Sequence, residues 1–129
     1  MKQNDLILIG HLQVLDESLT AVYKNKRNGR FYMSIRTFDS NDYDILLIES
    51  HPSIVLDYME KKIGLHTIIN EYCTVSYILT NSHTCRKKIR PVETNLIKKM
   101  IEQNTIPDMF DSRLAYHSWA LKKYIKNLI

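Results

Sequence analysis

Over residues 19–48 apolar and polar side chains mostly alternate or cluster as strand formers, and beyond position 50 apolar residues recur at helical spacing. Leu19-Thr20-Ala21-Val22-Tyr23 is rich in strand formers, and over residues 30–37 Phe31, Met33 and Ile35 alternate with Tyr32, Ser34 and Arg36. Between these runs lies Lys26-Arg27-Asn28-Gly29. Asn and Gly both tolerate positive φ, so the pair predicts a tight hairpin turn. Phe38-Asp39-Ser40-Asn41-Asp42 reads as a second turn, because Asp, Ser and Asn side chains bond their own backbone. A third strand follows over residues 43–48, and Ile45-Leu46-Leu47-Ile48 is apolar on both faces, as a central strand is. Residues 12–15 are read as a strand that pairs at the start of this meander.

Ser50-His51-Pro52 predicts a helix start, with Ser50 as cap and Pro52 at the first position, where no amide is needed. Ile54, Val55, Tyr58, Met59 and Lys62 then follow at helical spacing, and Gly64 is read as the stop. Leu65, Ile68, Ile69 and Tyr72 mark a second short helix, and residues 74–80 return to a strand pattern. Further on, Leu96, Ile97, Met100 and Ile101 form the apolar side of an amphipathic helix whose other side shows Lys98, Lys99 and Glu102. It should stop before Pro107. A last helix, capped by Asp111 or Ser112, runs toward Ile129. Strands first, then helices, one strand and more helices favour an α+β fold with an antiparallel sheet of about four or five strands. The sheet opens with a hairpin meander, is packed by helices, and is followed by a basic C-terminal helical pair.

Composition adds little until charge is mapped. A chain of 129 residues with 44% hydrophobic and 25% charged residues suits one folded domain. With only three Gly and three Pro, long flexible linkers are not expected. The run Leu6-Ile7-Leu8-Ile9 is too short to span a membrane, and Asp16-Glu17 soon after it argues against a signal peptide. Cys73 and Cys85 are too few for a disulfide framework, so a cytoplasmic protein with reduced thiols is expected. The charge, however, is split. Residues 86–129 carry ten bases against four acids, net +6, while residues 1–85 carry eight against ten, net −2, together the +4 of the chain. A sheet-bearing body over 1–85 is thus joined, within a single 1–129 domain, to a basic helical segment over 86–129. That asymmetry points to an anionic partner or a docking surface more than to a reaction.

The best candidate surface is on the last helix. Trp119, Lys122, Lys123 and Lys126 share one side with Ala115, and no acid follows Asp111. An aromatic ring among lysines suits a groove on a protein partner. It equally suits a nucleic acid, with a base on the ring and phosphates on the ammonium groups, or a core edge with a solvated rim. Leu114, Leu121, Ile125 and Leu128 fall in a neighbouring apolar stripe that needs covering, either by this domain's own sheet or by a second copy of the chain. Arg86-Lys87-Lys88 with Arg90 is dense enough in charge to hold phosphates, but lysines also guard edge strands, and the edge-strand reading is preferred.

Catalytic chemistry finds little footing. His83, Cys85 and Cys73 do not show the paired spacing of a structural zinc site, so no metal is expected. Cys85 beside three bases should have a lowered thiol pKa, yet no base can be placed near it, and His11, His51, His66 and His117 form no pair. Asp39, Asp42, Asp44 and Glu49 lack the spacing of a calcium loop and read as a turn. There is no glycine-rich phosphate loop, dinucleotide fingerprint or nucleophile elbow, so neither a cofactor nor an enzyme is expected.

Leu12-Gln13-Val14-Leu15, the hairpin through Asn28-Gly29 to Phe31-Tyr32-Met33, the strand over 44–48, the cap at Ser50 and Ile63-Gly64-Leu65 together resemble a family of small uncharacterised bacterial domains. The resemblance covers residues 12–72 and implies an α+β fold. It implies no activity, and this chain lacks the Trp usual in that family's third strand. The functional expectation is a non-enzymatic binding or regulatory protein acting through a protein–protein interface, an inhibitor or adaptor of bacterial or mobile-element origin. Its alternative is a nucleic-acid binder using the basic segment.

Overall fold

The computed structural model describes residues 2–15, 17–37, 45–72, 76–80, 88–103 and 119–129. After a helical turn at Gln3–Asp5 come β1 (Leu6–Leu15), β2 (Glu17–Asn25), β3 (Phe31–Arg36) and β4 (Ile45–Glu49). Then follow α1 (Pro52–Met59) and α2 (Leu65–Thr67), which widens into a π-type turn over Ile68–Tyr72, and β5 (Ser76–Thr80). β6 (Lys88–Pro91), α3 (Thr94–Glu102) and α4 (Trp119–Lys126) complete the fold. Every strand pairs antiparallel with its neighbour in sequence, giving one six-stranded sheet in the order β1-β2-β3-β4-β5-β6.

The α+β class holds, with six strands where four or five were expected. β1 is ten residues long and begins at Leu6, whereas only its end, 12–15, reads as a strand. Three register shifts against β2, at Leu8/Gly10, His11/Gln13 and Gln13/Val14, break the alternation that would have revealed the rest. β6 is short and polar, the edge strand that the basic run allowed. Arg86, Lys87 and the turn over 38–42 lie outside the described residues.

Local chemistry differs from the expectation at three turns. Between β2 and β3 the chain makes a wider loop, in which Asn25 Oδ1 accepts from the Arg27 amide at 2.9 Å and the Gly29 amide donates to the Asn25 carbonyl at 2.8 Å. The hairpin expected through Asn28-Gly29 forms, but only Gly29, at φ 73°, takes a positive angle in it. The α1 cap is His51, not Ser50: His51 Nδ1 accepts from the Ser53 amide at 3.1 Å. The Ser50 hydroxyl instead turns back and donates to the Ile48 carbonyl at 3.1 Å. At its other end α1 stops at Lys61 rather than Gly64. Lys61 sits at φ 62°, its amide donates to the Tyr58 carbonyl, and the Lys62 amide donates to the Asp57 carbonyl. This pair of bonds is the Schellman arrangement, normally closed by glycine.

The main core lies between one face of the sheet and the helices. Val22, Met33, Ile35, Leu46, Ile48 and Ile78 meet Val55, Tyr58, Met59, Leu65, Ile68, Ile69, Ile97, Leu121 and Ile125, all buried. Each such side chain contributes about 1.5–3 kcal/mol on leaving water, which is why the fold needs no staple. Leu46, Leu47 and Ile48 are all buried, so β4 is covered on both faces as a central strand. On the face away from this core, Leu6, Tyr23, Ile45, Leu47 and Leu79 line one cavity of about 130 Å³. A flat sheet would hold β1 and β5 roughly 19 Å apart at about 4.8 Å per strand. The sheet must therefore curl to bring Leu6 and Leu79 to the same hollow, and that curl closes the second face.

The two basic helices do not form a pair. α4 lies mainly against α1, and α3 lies against the Ile68–Tyr72 turn, with Ile97 buried and Lys98 and Lys99 exposed. Each helix has its own apolar neighbour, and that neighbour decides its position.

Replacing Lys61 by Gly should stabilise the protein by about 0.5–1 kcal/mol, because a side chain at positive φ costs more than the extra flexibility of glycine in the unfolded chain. The urea midpoint should rise with the denaturant slope unchanged. Removing the cap by His51→Ala should cost about 1 kcal/mol in the same assay, while His51→Asn, which restores an acceptor, should cost much less.

Candidate functional site

α4 reads Trp119-Ala-Leu-Lys-Lys-Tyr-Ile-Lys126, and its spacing sorts the residues. Leu121 and Ile125, four apart, fall on one side and are 5% and 1% exposed. Leu121 is received where β1 has no side chain of its own: a Cβ at Gly10 would lie 3.0 Å from Leu121 Cδ2 and 3.1 Å from Cδ1. Leu121 thus rests on bare backbone, and α4 is drawn close to the strand.

Seating that side turns the other outward. Trp119 is 75% exposed. The Lys123 ammonium lies 5.0 Å from the centre of its ring, a cation–π contact of about 0.5–1 kcal/mol in water. Trp119, Lys122, Lys123, Lys126 and Asn127 line a shallow groove of about 370 Å³. Tyr124, Leu128 and Ile129 are also exposed at this end of the molecule.

Among the described residues, Glu60 brings a carboxylate to the lysines. Glu60, at the end of α1, takes Lys62 Nζ at 3.1 Å on one oxygen and stands 3.9 Å from Lys122 Nζ on the other. The hydrogen bond from Lys62 holds the Glu60 carboxyl below its ordinary range. Slight desolvation opposes this, while the charges of Lys62, Lys122 and Lys126 add to it. The Lys62 ammonium is raised in turn by that bond and by the charges of Glu60 and Asp57. Glu60 is thus shared, first with Lys62 and only at long range with Lys122. It leaves the groove cationic.

Of the other sequence candidates, Lys88 and Arg90 stand on β6, and Arg90 does not line this groove. Of the apolar stripe that needed covering by this domain or by a second copy, Leu121 and Ile125 are buried in the protein's own core, while Leu128 is 41% exposed and Leu114 lies outside the described residues. Cys73, His83 and Cys85 also lie outside them, as do Asp39, Asp42 and Asp44. Among the described residues there is no group of three or more His, Cys, Asp or Glu able to hold a metal, and no helix is long and apolar enough to cross a membrane.

A second hollow escaped the sequence reading. Gly29, Arg30, Phe31, Glu49, His51 and Leu128 border a groove of about 360 Å³ where the β2–β3 loop, the end of β4 and the C-terminus converge. No local motif joins residues so far apart in the chain. Its polar groups are engaged: Glu49 meets Arg30 at 3.4 Å, and His51 Nδ1 is held by Ser53 through both amide and hydroxyl. These are the bonds of a helix cap and a strand end.

Compared with protein-family models, curated proteins and solved structures, the chain matches none.

Trp119 is the only tryptophan, so fluorescence reports this site alone. Its emission should lie near that of indole in water, and acrylamide should quench it almost as efficiently in the folded protein as in urea. A blue-shifted, protected signal would place the ring inside.

Proposed function

We propose that the chain is a non-enzymatic binding protein, an inhibitor or adaptor in kind, which docks an acidic surface of another protein on the outer face of α4. The exposed indole of Trp119 carries this reading. A large apolar ring left in water beside a folded core gains free energy when a partner covers it, and tryptophan is among the residues that most often anchor interfaces. Lys122, Lys123 and Lys126 form the charged rim around that anchor, and a partner rich in Asp or Glu complements them. Tyr124, Leu128 and Ile129 extend the apolar part of the surface.

Nucleic acid is the second reading, supported by the same ring and lysines. It ranks lower because the Lys123 ammonium already lies over one face of the indole, where a base would stack. Among the described residues, Arg90 is the exposed base of the run 86–90, and it does not line the groove.

Titration of Trp119 fluorescence separates the two. Synthetic peptides rich in Glu and Asp with one leucine or phenylalanine should shift the emission to the blue and saturate. Lys122→Glu combined with Lys126→Glu should weaken them at least about tenfold, the equivalent of roughly 1.4 kcal/mol. Glu60→Gln should tighten binding a few-fold at neutral pH. Because the Glu60 carboxyl is held low, it is ionised there and competes for Lys122; below its lowered range it is protonated, and the advantage of the Gln variant should vanish. A mixed-sequence single-stranded DNA that binds instead, with log affinity falling by about 0.7 per contacted phosphate against log salt, would favour the second reading. No response to either probe contradicts the proposal.

A further inference from the structure

The sheet has two outer strands, and their residues differ in kind. β6 carries Lys88, Arg90 and Pro91, residues that discourage another strand from pairing there. β1 carries no charged residue and no proline from Leu6 to Leu15. Among the described residues, β1 has a strand neighbour on one side only. Two of its large apolar side chains stand in water, Ile7 at 48% and Leu8 at 45% exposure. As consecutive strand residues they point to opposite faces, so neither face of this edge is polar. α4 meets β1 at Gly10 and leaves both of them exposed.

We propose that this edge is where two copies of the chain meet, with Leu6–Leu8 of β1 pairing antiparallel to the same residues of a second copy about a twofold axis. Opposite residues in a ladder share a face, so a twofold perpendicular to the sheet can pair only positions whose numbers differ by an even amount. Before the first register shift, at Leu8/Gly10, the register that fits sets Ile7 opposite Ile7 and Leu6 opposite Leu8. Every cross-strand pair is then apolar.

Charge selects the occupant. In a twofold contact each surface meets its own copy, so the basic α4 and β6 would each bring like charges together. The uncharged β1 edge is where like molecules approach without opposing charges. Pairing β1 with β6 of another copy would bury Lys88 and Arg90 against apolar residues and would not close, whereas the twofold closes at two copies. A ladder this short covers less than the roughly 800 Å² per partner of a stable interface, so the dimer is weak and depends on concentration. It leaves α4 facing solvent and is independent of the binding proposed for that helix.

Sedimentation equilibrium from low micromolar to near-millimolar protein tests the inference. The weight-average mass should climb from 15.2 kDa toward twice that value. Ile7→Lys, which sets two ammonium groups face to face on a half-exposed position, should keep the circular dichroism spectrum and hold the mass at one chain. In a Cys73→Ser/Cys85→Ser background, Ile7→Cys should form a disulfide-linked dimer on mild oxidation, far faster than Lys98→Cys on α3. Should Ile7→Lys fail to fold, the cysteine pair decides. A single-chain mass at all concentrations, a dimer that survives Ile7→Lys, or equal cross-linking at Lys98→Cys overturns the proposal.

Discussion

Leu121 lies against β1 where Gly10 has no side chain, and the position of the last helix depends on that contact. Most of a helix's stability in a protein comes from packing its apolar side, so α4 depends on what holds that side. Leu121 and Ile125 supply that hold by entering the core shared by the sheet and α1. The helix then has no rotational choice. Burying one side commits Trp119 and the lysines to the other, and the outer face follows from the packing of the inner one.

Electrostatics adjusts the surface that packing creates. α1 ends in a left-handed Lys61, and that turn places Glu60 and Lys62 beside the lysines of α4. With its carboxylate committed to Lys62 first, Glu60 tempers the groove without neutralising it. The edge strands divide along similar lines. β6 is protected by charge and proline, while β1 spends its side chains on apolar contacts and on the glycine that admits α4. The proposed self-pairing rests on that uncharged edge.

Much of the fold was legible because periodicity reports burial. Ile45-Leu46-Leu47-Ile48 announced a doubly covered strand, and Ile97, Met100 and Ile101 announced the inner side of α3, whereas Leu96, read with them, is 47% exposed. The placing of Trp119 and its lysines beside the apolar side, which holds Leu121 and Ile125, was legible, but whether the ring packs at the core's edge was not, and the structure leaves it exposed. The length of β1 was hidden by its bulges, which break a two-residue period, and β6 was hidden by polarity. The caps were missed because the competing residues are chemically equivalent at the level of sequence. Ser50 and His51 both offer acceptors, and only the backbone path sends the serine back to Ile48. Lys61 gave no sign of a helix end, since that conformation is usually glycine's. Leu128 and Glu49 share a hollow through chain folding alone, which no local pattern encodes.

The most direct measurement is a double-mutant cycle between Gly10→Val and Leu121→Ala, read by urea denaturation. If Leu121 occupies the space above Gly10, the valine should destabilise the parent protein by about 1–3 kcal/mol through overpacking. It should cost far less once Leu121 is alanine, giving a coupling energy of at least about 0.5 kcal/mol. Effects that add within about 0.3–0.5 kcal/mol would mean that the two residues do not meet, and the account of how α4 is held would be wrong.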